Sequence, residues 1–293
     1  MTKKEIIKLV NETEKAIAIH SDSFLLSINS MGKNLYDELY DFLSRLDMSK
    51  GRFVWDESSY ALFATLKRNV DSISKKAGGY GKSYQNLLTG FTHLDRVIKR
   101  QQKKLNNVTI SDNYIKDKTG GFIKKTIAGF NSSNYNVNIV QPTIDGLFNR
   151  VYNGASLEDT RVFLKRNLVG TAKNGSKLSN YAEQQARDTL HQYNGQINQK
   201  IAEDYNLDGI YYENNLIDDS RPQCVRWKTK YNGLLKRSIL REEIAWAENY
   251  GRGMIPNTTP QNFMINRGGY NCRHSAIPVN YAKYKKINSL NLK

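Results

Sequence analysis

The sequence predicts an α+β protein that is predominantly α, with an N-terminal helical bundle, a short β excursion and a C-terminal mixed helix/strand module. Two observations predict this class. Apolar residues recur at helical spacing through most of the chain, whereas short runs typical of strands occur mainly in residues 106–141 and after residue 208. At 293 residues, the chain is long enough to bury a core in two domains.

Residues 1–105 carry four apolar stripes at the spacing of amphipathic helices. The first two stripes consist of Ile6, Leu9, Val10, Thr13 and Ile17, and of Leu35, Leu39, Phe42, Leu43 and Leu46. Two further stripes follow between residues 63 and 98. Such stripes usually face a core, so this region is predicted to form a bundle of four helices.

Residues 106–141 are predicted to form a basic, β-rich excursion or linker. Three short runs favour strands, namely Val108–Ile110, Phe122–Ile127 and Tyr135–Val140, and Gly120-Gly121 interrupts them. The most concentrated basic run of the chain overlaps this region and comprises Lys99, Arg100, Lys103, Lys104, Lys116, Lys118, Lys124 and Lys125. These side chains are typical either of a solvated loop or of a surface that contacts nucleic-acid phosphates.

Residues 142–293 are predicted to form a C-terminal domain. Ser156 and Asp159 have capping-box spacing, as do Asn180 and Glu183, so a helix is expected to begin at each pair. The second of these helices carries one apolar face over some twenty residues. It leads to a predicted strand at Gly209–Glu213 and then to a module at residues 218–279.

Charge and hydropathy limit the classes of function. The net charge is +16, and residues 99–293 hold 30 of the Lys and Arg residues against 16 of the Asp and Glu residues. This surplus favours contact with a polyanion such as DNA. No apolar run approaches the roughly 20 residues that a membrane span needs, and the start of the chain lacks the apolar core of a secretory signal. We therefore expect a protein of the cytoplasm that does not bind membranes.

The module at residues 218–279 contains both cysteines of the chain and one of its four histidines. Cys224, Cys272 and His274 are candidate ligands for one structural zinc ion, because thiolate sulfur and imidazole nitrogen suit a tetrahedral site. Asp219, His191 or water would supply the fourth ligand. Two alternatives need no metal: the cysteines pack as apolar side chains, or they form a disulfide, although thiols are the usual state in a cytoplasm.

The order of motifs in the second half of the chain resembles a known family. Gly154–Asp159 precedes a long helix containing Ala186–Asn194, and then come Asp219-Ser-Arg-Pro-Gln-Cys224 and Asn271-Cys-Arg-His274. This order is similar to the C-terminal domain of phage minor head proteins of the phage Mu F-like group, over residues 142 to about 280. Its bracketing segments match here at Asp219, Arg221, Cys224, Asn271, Cys272 and Arg273. The chain departs from the family in lacking a second cysteine near Cys224 and in having His274 as the last residue of the closing motif.

The resemblance implies a minor head protein of a tailed phage, present in few copies at the portal vertex or in the head interior of the virion and assembled in the host cytoplasm. Its partners would be portal and capsid proteins, together with DNA held by non-specific phosphate contacts. Asp219, Arg221, Asn271 and Arg273 would then have structural roles in the module. No catalytic residues are implied, so the protein is expected not to be an enzyme.

Two other classes of function stay open. A metal-dependent nuclease or a transferase would need carboxylates and a base, for which Asp188, His191, Glu242 and Glu243 are available. Their spacing contains no set of nucleophile, base and orienting group. A cellular DNA-binding or scaffold protein would fit the charge, but the sequence contains no groove-reading motif.

Overall fold

The computed structural model describes residues 2–76, 81–131, 136–171, 173–270 and 272–290. About 70% of the chain is helical and the strands are few and short, which confirms the predicted α+β class dominated by helices. The helices are α1 (Lys3–Leu43), α2 (Glu57–Lys76), α3 (Gly81–Asn106), α4 (Asp112–Asn131), α5 (Gln141–Tyr152), α6 (Leu157–Leu168), α7 (Lys177–Asp204), α8 (Pro222–Lys230), α9 (Leu240–Tyr250), α10 (Phe263–Asn266) and α11 (Tyr281–Leu290). The strands are β1 (Met48–Ser49), β2 (Arg52–Phe53), β3 (Gly209–Glu213), β4 (Leu234–Lys236) and β5 (Ser275–Val279).

Helix α1 joins the two stripes that were predicted to be separate helices. It begins with a capping box, in which the amide of Thr2 donates to the Glu5 carboxylate at 2.7 Å and the amide of Glu5 donates to the Thr2 hydroxyl at 3.3 Å. Between the two stripes, Phe24, Ile28 and Met31 are buried and continue the helical period. The prediction of two helices was wrong because no proline separates the stripes, and Gly32, which lies between them, is accommodated inside the helix where it packs closely on the main chain of Leu168.

The prediction of a β excursion at residues 106–141 was also wrong. Helix α4 occupies most of this region, and Asn136–Val140 forms a π-helical turn; Tyr135, the first residue of the third predicted strand, lies outside the described residues. The Ser111 hydroxyl accepts from the amide of Tyr114 at 3.1 Å and caps α4. Ile115 and Thr119, four residues apart, are both buried, so one face of α4 meets a core at helical spacing.

Helices α6 and α7 begin at or near the residues that the two capping pairs predicted. Ser156 caps α6, since its hydroxyl accepts from the amide of Asp159 at 3.0 Å, which confirms that capping box. Helix α7 begins earlier than expected, at Lys177, because the Ser176 hydroxyl accepts from the amide of Ser179 at 2.9 Å. A buried serine therefore replaces the predicted asparagine cap at Asn180.

The chain divides into two compact units, and each is assembled from separate stretches of sequence. Unit one contains residues 1–20, 88–124 and 187–293, and unit two contains residues 21–87 and 125–186. Each unit thus includes residues from both sides of the boundaries predicted near residues 105 and 142. The whole module at residues 218–279 belongs to unit one.

Unit one is built around a three-stranded antiparallel sheet with the strand order β4-β3-β5. Central strand β3 has the bounds expected from the sequence, and it pairs with β5 so that Tyr212 lies opposite Ala276. One face of the sheet packs in a core of Ile6, Leu9, Val10, Leu105, Tyr211, Leu234, Ile277, Val279 and Tyr284. Strand β3 consequently places Tyr212 on the face opposite to Tyr211, toward the cysteine module.

Side-chain amides cover the outer edge of β5. Asn106 donates to the carbonyl of Pro278 at 2.9 Å, and Asn198 donates to the carbonyl of Ala276 at 3.4 Å. Pro278 has no N–H to satisfy. These contacts leave the edge strand without the row of open carbonyls on which another strand could pair, and they give the Asn/Gln-rich helix α7 a structural role.

Unit two has an aromatic core. Phe63 contacts Phe42 and Phe148 edge to face, with ring centroids 4.8 and 5.4 Å apart, and Trp55 packs on Phe148 at 5.2 Å. Such aromatic pairs stabilise a core by more than the burial of their surface area alone.

Among the helices of the described residues, none is both long and apolar enough to cross a membrane.

Candidate metal centre

Two segments of unit one deliver the candidate ligands. Pro222 begins α8, where a proline is favoured because the first helical N–H has no partner, and Cys224 follows in the first turn. Cys272 and His274 lie in the segment that leads into β5. Because β5 and α8 both lie beside β3, residues some fifty positions apart in sequence converge.

Cys224, Cys272 and His274 form a compact group of buried side chains. Their sulfur and nitrogen atoms all lie within 4.8 Å of one another, and the Cys272 Sγ is 3.7 Å from the His274 Nδ1. With bonds of about 2.3 Å to sulfur and about 2.0 Å to nitrogen, a tetrahedral zinc ion needs ligand atoms about 3.6 to 3.8 Å apart. The donor set and the distance between the Cys272 Sγ and the His274 Nδ1 therefore fit zinc.

Tyr212 is a member of the centre that sequence reasoning missed. Its hydroxyl lies 3.2 Å from the sulfur of Cys224 and 3.2 Å from that of Cys272. Its ring stacks on His274, with centroids 4.8 Å apart and an interplanar angle of 9°. Burial holds the pKa of Tyr212 well above its usual value, so this hydroxyl keeps its proton and can donate to a thiolate.

The loop after α10 closes the centre with its main chain. Arg267 and Gly269 have φ of 51° and 109°, which is left-handed backbone that glycine tolerates and arginine adopts at a cost of about 1 to 3 kcal/mol. Between them, Gly268 has no room for a side chain, because an added Cβ would lie 2.5 Å from the Cys224 Sγ and 2.7 Å from the Tyr212 hydroxyl. The Arg267-Gly-Gly269 sequence just before the closing motif was a signal that sequence reasoning did not use.

The two thiols have opposite shifts in pKa. A hydrogen bond from Cys224 lowers the pKa of Cys272 well below its usual value, and this bond, together with those involving His274 and the charge of Arg267, outweighs the opposite effect of burial. The same hydrogen bond, and then burial, raise the pKa of Cys224. Without metal, Cys272 is therefore the more readily ionised thiol of the pair, and Cys224 holds its proton more tightly. A thiolate is the form that binds a metal ion.

Arg221 and Gln223 hold α8 against the closing loop. The Arg221 guanidinium donates to the carbonyl of Gly268 at 3.1 Å and also to the carbonyl of Tyr270. Gln223 donates to the carbonyls of Arg252 and Gly268 at 2.8 and 2.9 Å. Arg221 thus holds the closing loop, and Gln223, which sequence reasoning did not single out, makes similar contacts. Asn271 lies outside the described residues.

Asp219, the fourth candidate ligand, lies apart from the group of three. Its carboxylate pairs with Arg252, and its side chain is 85% exposed. It nevertheless lines the same pocket, which has a volume of about 410 Å³ and is also lined by all three candidate ligands and by Arg221, Arg252 and Arg273. The structure therefore brings three of the four predicted metal ligands together and places the fourth at the pocket wall.

His191, the other protein group considered as a ligand, belongs to a separate buried cluster in unit one. Its Nε2 lies 3.7 Å from the Glu14 carboxylate, which accepts from the Ser275 hydroxyl at 2.7 Å. Burial raises the pKa of Glu14 to about 7. Burial, followed by the charges of Arg267 and Arg187, lowers the pKa of His191 well below its usual value, so this imidazole is neutral.

The carboxylates considered for catalysis have structural partners or face solvent. Asp188 lies 3.9 Å from the buried guanidinium of Arg267. Glu243 accepts from Arg226 at 2.7 and 3.0 Å and from the indole N–H of Trp227 at 3.1 Å. Glu242, in the first turn of α9, is exposed.

The eight basic residues predicted to contact nucleic acid lie on or near α3 and α4. Arg100 pairs with Glu12 at 2.6 Å, Lys99 pairs with Asp112, and Lys118 lies 3.2 Å from Asp117. The remaining five, Lys103, Lys104, Lys116, Lys124 and Lys125, are exposed. Lys103 and Lys104 occupy the last turn of α3, where positive charge also stabilises the helix dipole.

The chain was compared with family models, curated proteins and solved structures. No family model, no curated protein and no solved structure matches the chain.

Proposed function

We propose that this protein is a minor head protein of a tailed phage, located at the portal vertex or in the head interior and assembled in the host cytoplasm. In this role it assists head assembly and the packaging or delivery of DNA. The module at residues 218–279 acts as a structural unit that one zinc ion cross-links, and the exposed surfaces meet portal, capsid and DNA.

The observation that carries the proposal is the convergence of the two segments on which the family resemblance rests. Arg221 and Cys224 come from the opening motif, and Cys272 comes from the closing motif. Arg221 binds the main chain that precedes the closing motif, and the two cysteines lie in one buried group with His274. Motifs that bracket a module in sequence are expected to meet in this way if they form its cross-link.

A structural role for the metal follows from the surroundings of the candidate ligands. All three side chains are buried, and they join β5 to the first turn of α8, so one ion would tie together the two ends of the module. Metal-binding energy adds directly to the folding energy of small modules. Histidine at position 274 would supply the nitrogen ligand where the family that the sequence resembles has cysteine.

The charge distribution supports contact with DNA. Five exposed lysines lie on or near α3 and α4, and lysines of this kind bind phosphates without regard to base sequence. Non-specific contact suits a protein that meets packaged DNA. A nuclease or transferase remains the alternative, but the carboxylate of Glu243 is already bound by Arg226 and Trp227, and His191 is buried.

The role in the virion is tested by quantitative mass spectrometry of purified phage particles, with this chain counted against the portal and major capsid subunits. A low copy number, comparable to that of the portal ring, is the expected result. Absence from particles would refute the role and direct attention to nuclease and transferase assays.

The zinc cross-link is tested separately by metal analysis and thermal unfolding of the purified protein. We expect one equivalent of zinc in the wild-type protein and none in Cys272→Ser, together with a lower melting temperature. Removing the metal from the wild type with a chelator should lower its melting temperature toward that of the variant and leave the variant unchanged. The zinc hypothesis would be wrong if the wild-type protein contained no metal and a chelator did not change its melting temperature.

A further inference from the structure

The candidate metal centre has a closed side and an open side. On the closed side, the Tyr212 hydroxyl contacts both sulfurs at 3.2 Å, and the main chain at Gly268 leaves no space for even a methyl group. On the other side, Cys224, Cys272 and His274 all line the pocket of about 410 Å³. Three protein ligands leave one tetrahedral position, and the pocket is the side from which another ligand can reach it.

The wall of this pocket is positively charged. Its lining includes the three basic residues Arg221, Arg252 and Arg273 and, among the described residues, one acidic residue, Asp219. Asp219 pairs with Arg252. Among the residues that the structure describes, Arg221 donates to main-chain carbonyls and pairs with no carboxylate, so its charge is not compensated there. Two thiolates and one zinc ion would add no net charge, so the pocket would keep a net surplus of positive charge.

Arg273 is the guanidinium that is placed to take a ligand. Its main chain is held, because the Asn214 amide donates to its carbonyl at 2.6 Å, and it lies between the two candidate ligands Cys272 and His274. Its side chain is exposed and makes no hydrogen bond or ion pair to any residue that the structure describes. An arginine anchored at its main chain and open at its guanidinium is suited to pair with an oxyanion in the fork geometry that this group prefers.

We infer that this pocket binds a phosphate group, with one phosphate oxygen at the fourth position of the metal and the others facing Arg273 and Arg221. This inference rests on the proposed metal site and extends it from a purely structural cross-link to a ligand site. The volume lies within the range of small-ligand pockets, so the phosphate can be free or part of a nucleotide chain. No covalent step is involved.

The experiment uses the full-length protein in which cobalt(II) replaces zinc, because the visible absorption of tetrahedral cobalt reports a change of its fourth ligand. Inorganic phosphate, a short single-stranded oligodeoxynucleotide and acetate are titrated separately at constant ionic strength. We expect phosphate to shift the cobalt absorption with saturation. A similar shift from the oligonucleotide would assign the phosphate to a nucleic-acid backbone, and a shift from phosphate alone would assign it to the free anion.

Two arginine variants test the pocket wall. Arg273→Ala should weaken the binding of phosphate about tenfold, as expected for the loss of one charge-assisted hydrogen-bond partner. Arg241→Ala is the matched control, because Arg241 is exposed on α9 and does not line the pocket; it should bind phosphate like the wild type.

Each other outcome overturns a defined part of the reasoning. If cobalt binds but neither phosphate nor the oligonucleotide shifts its absorption, the phosphate inference is wrong while the metal site stands. If acetate binds as tightly as phosphate, the pocket takes any anionic ligand, including the carboxylate of a partner protein, and the inference is again wrong. If the protein binds no cobalt, the proposed metal site itself fails.

Discussion

The carboxylate of Glu243 should be a major electrostatic support of the module, and Glu243→Gln tests this. The side chain is only 4% exposed, and it receives hydrogen bonds from Arg226, Trp227, Lys230 and Tyr231. Burial alone would raise the pKa of this carboxyl, but the hydrogen bonds from Arg226, Tyr231 and Lys230 outweigh burial and lower the pKa from 4.5 to about 2.

The size of the effect follows from that shift. A fall in pKa from 4.5 to about 2 corresponds to about 3 kcal/mol of unfolding free energy at neutral pH. Arg226 and Lys230 are 26% and 50% exposed, so solvent screens part of the attraction and we expect a loss of about 2 kcal/mol in Glu243→Gln. Because the folded pKa is depressed, this contribution is present above pH 4.5 and disappears as the pH falls toward 2.

The assay is urea unfolding followed by tryptophan fluorescence at several pH values between 2 and 7. Glu242→Gln is the matched control, since Glu242 neighbours Glu243 on α9 but is exposed, and it should change stability by less than about 0.5 kcal/mol. The difference between wild type and Glu243→Gln should be largest near pH 7 and narrow below pH 4.5. Equal stability of Glu243→Gln and Glu242→Gln, or a difference between wild type and Glu243→Gln that does not depend on pH, would refute the reasoning.

Two further substitutions probe the packing and the buried charge of unit one. Gly268→Ala should reduce metal content and cost about 1 to 3 kcal/mol of unfolding free energy, because its methyl group would overlap the Cys224 sulfur. Gly120→Ala is the control: this glycine has an open position in α4, and the substitution should stabilise the protein by up to about 1 kcal/mol. Equal metal content in the two variants would contradict the argument that Gly268 is crowded. Glu14 titrates at about 7 in the folded protein and at 4.5 when unfolded, so the folded state binds more protons between these values and the wild type should lose about 3 kcal/mol as the pH rises from 4.5 to 7. Glu14→Gln should remove that loss in unfolding experiments, and an unchanged pH profile would show that Glu14 does not titrate in this range.

Local patterns predicted much of the secondary structure but not its continuity. The stripes identified residues 1–105 as mainly helical, and β3 was expected at its observed bounds. The stripes could not show that α1 is one helix, because a helical period carries no mark of where a helix ends unless a breaker is present. Within the range of α4, the run Phe122–Ile127 was predicted as a strand and Gly120-Gly121 as a break before it, but both lie inside the helix. The burial of Ile115 and Thr119 one turn apart anchors this helix, and strand propensity is too weak to oppose such packing.

Some residues of the candidate centre could likewise be predicted from the sequence, and others only from the tertiary structure. The rarity of cysteine, and its placement in two short motifs, sufficed to select Cys224, Cys272 and His274, because metal-ligand chemistry is restricted to few residue types. Tyr212 and Gly268 could not be selected, since tyrosine and glycine are common and nothing local distinguishes these two. Only the pairing of β3 with β5, which joins segments some sixty residues apart, and the left-handed backbone near Gly268 decide which hydroxyl and which main chain meet the sulfurs.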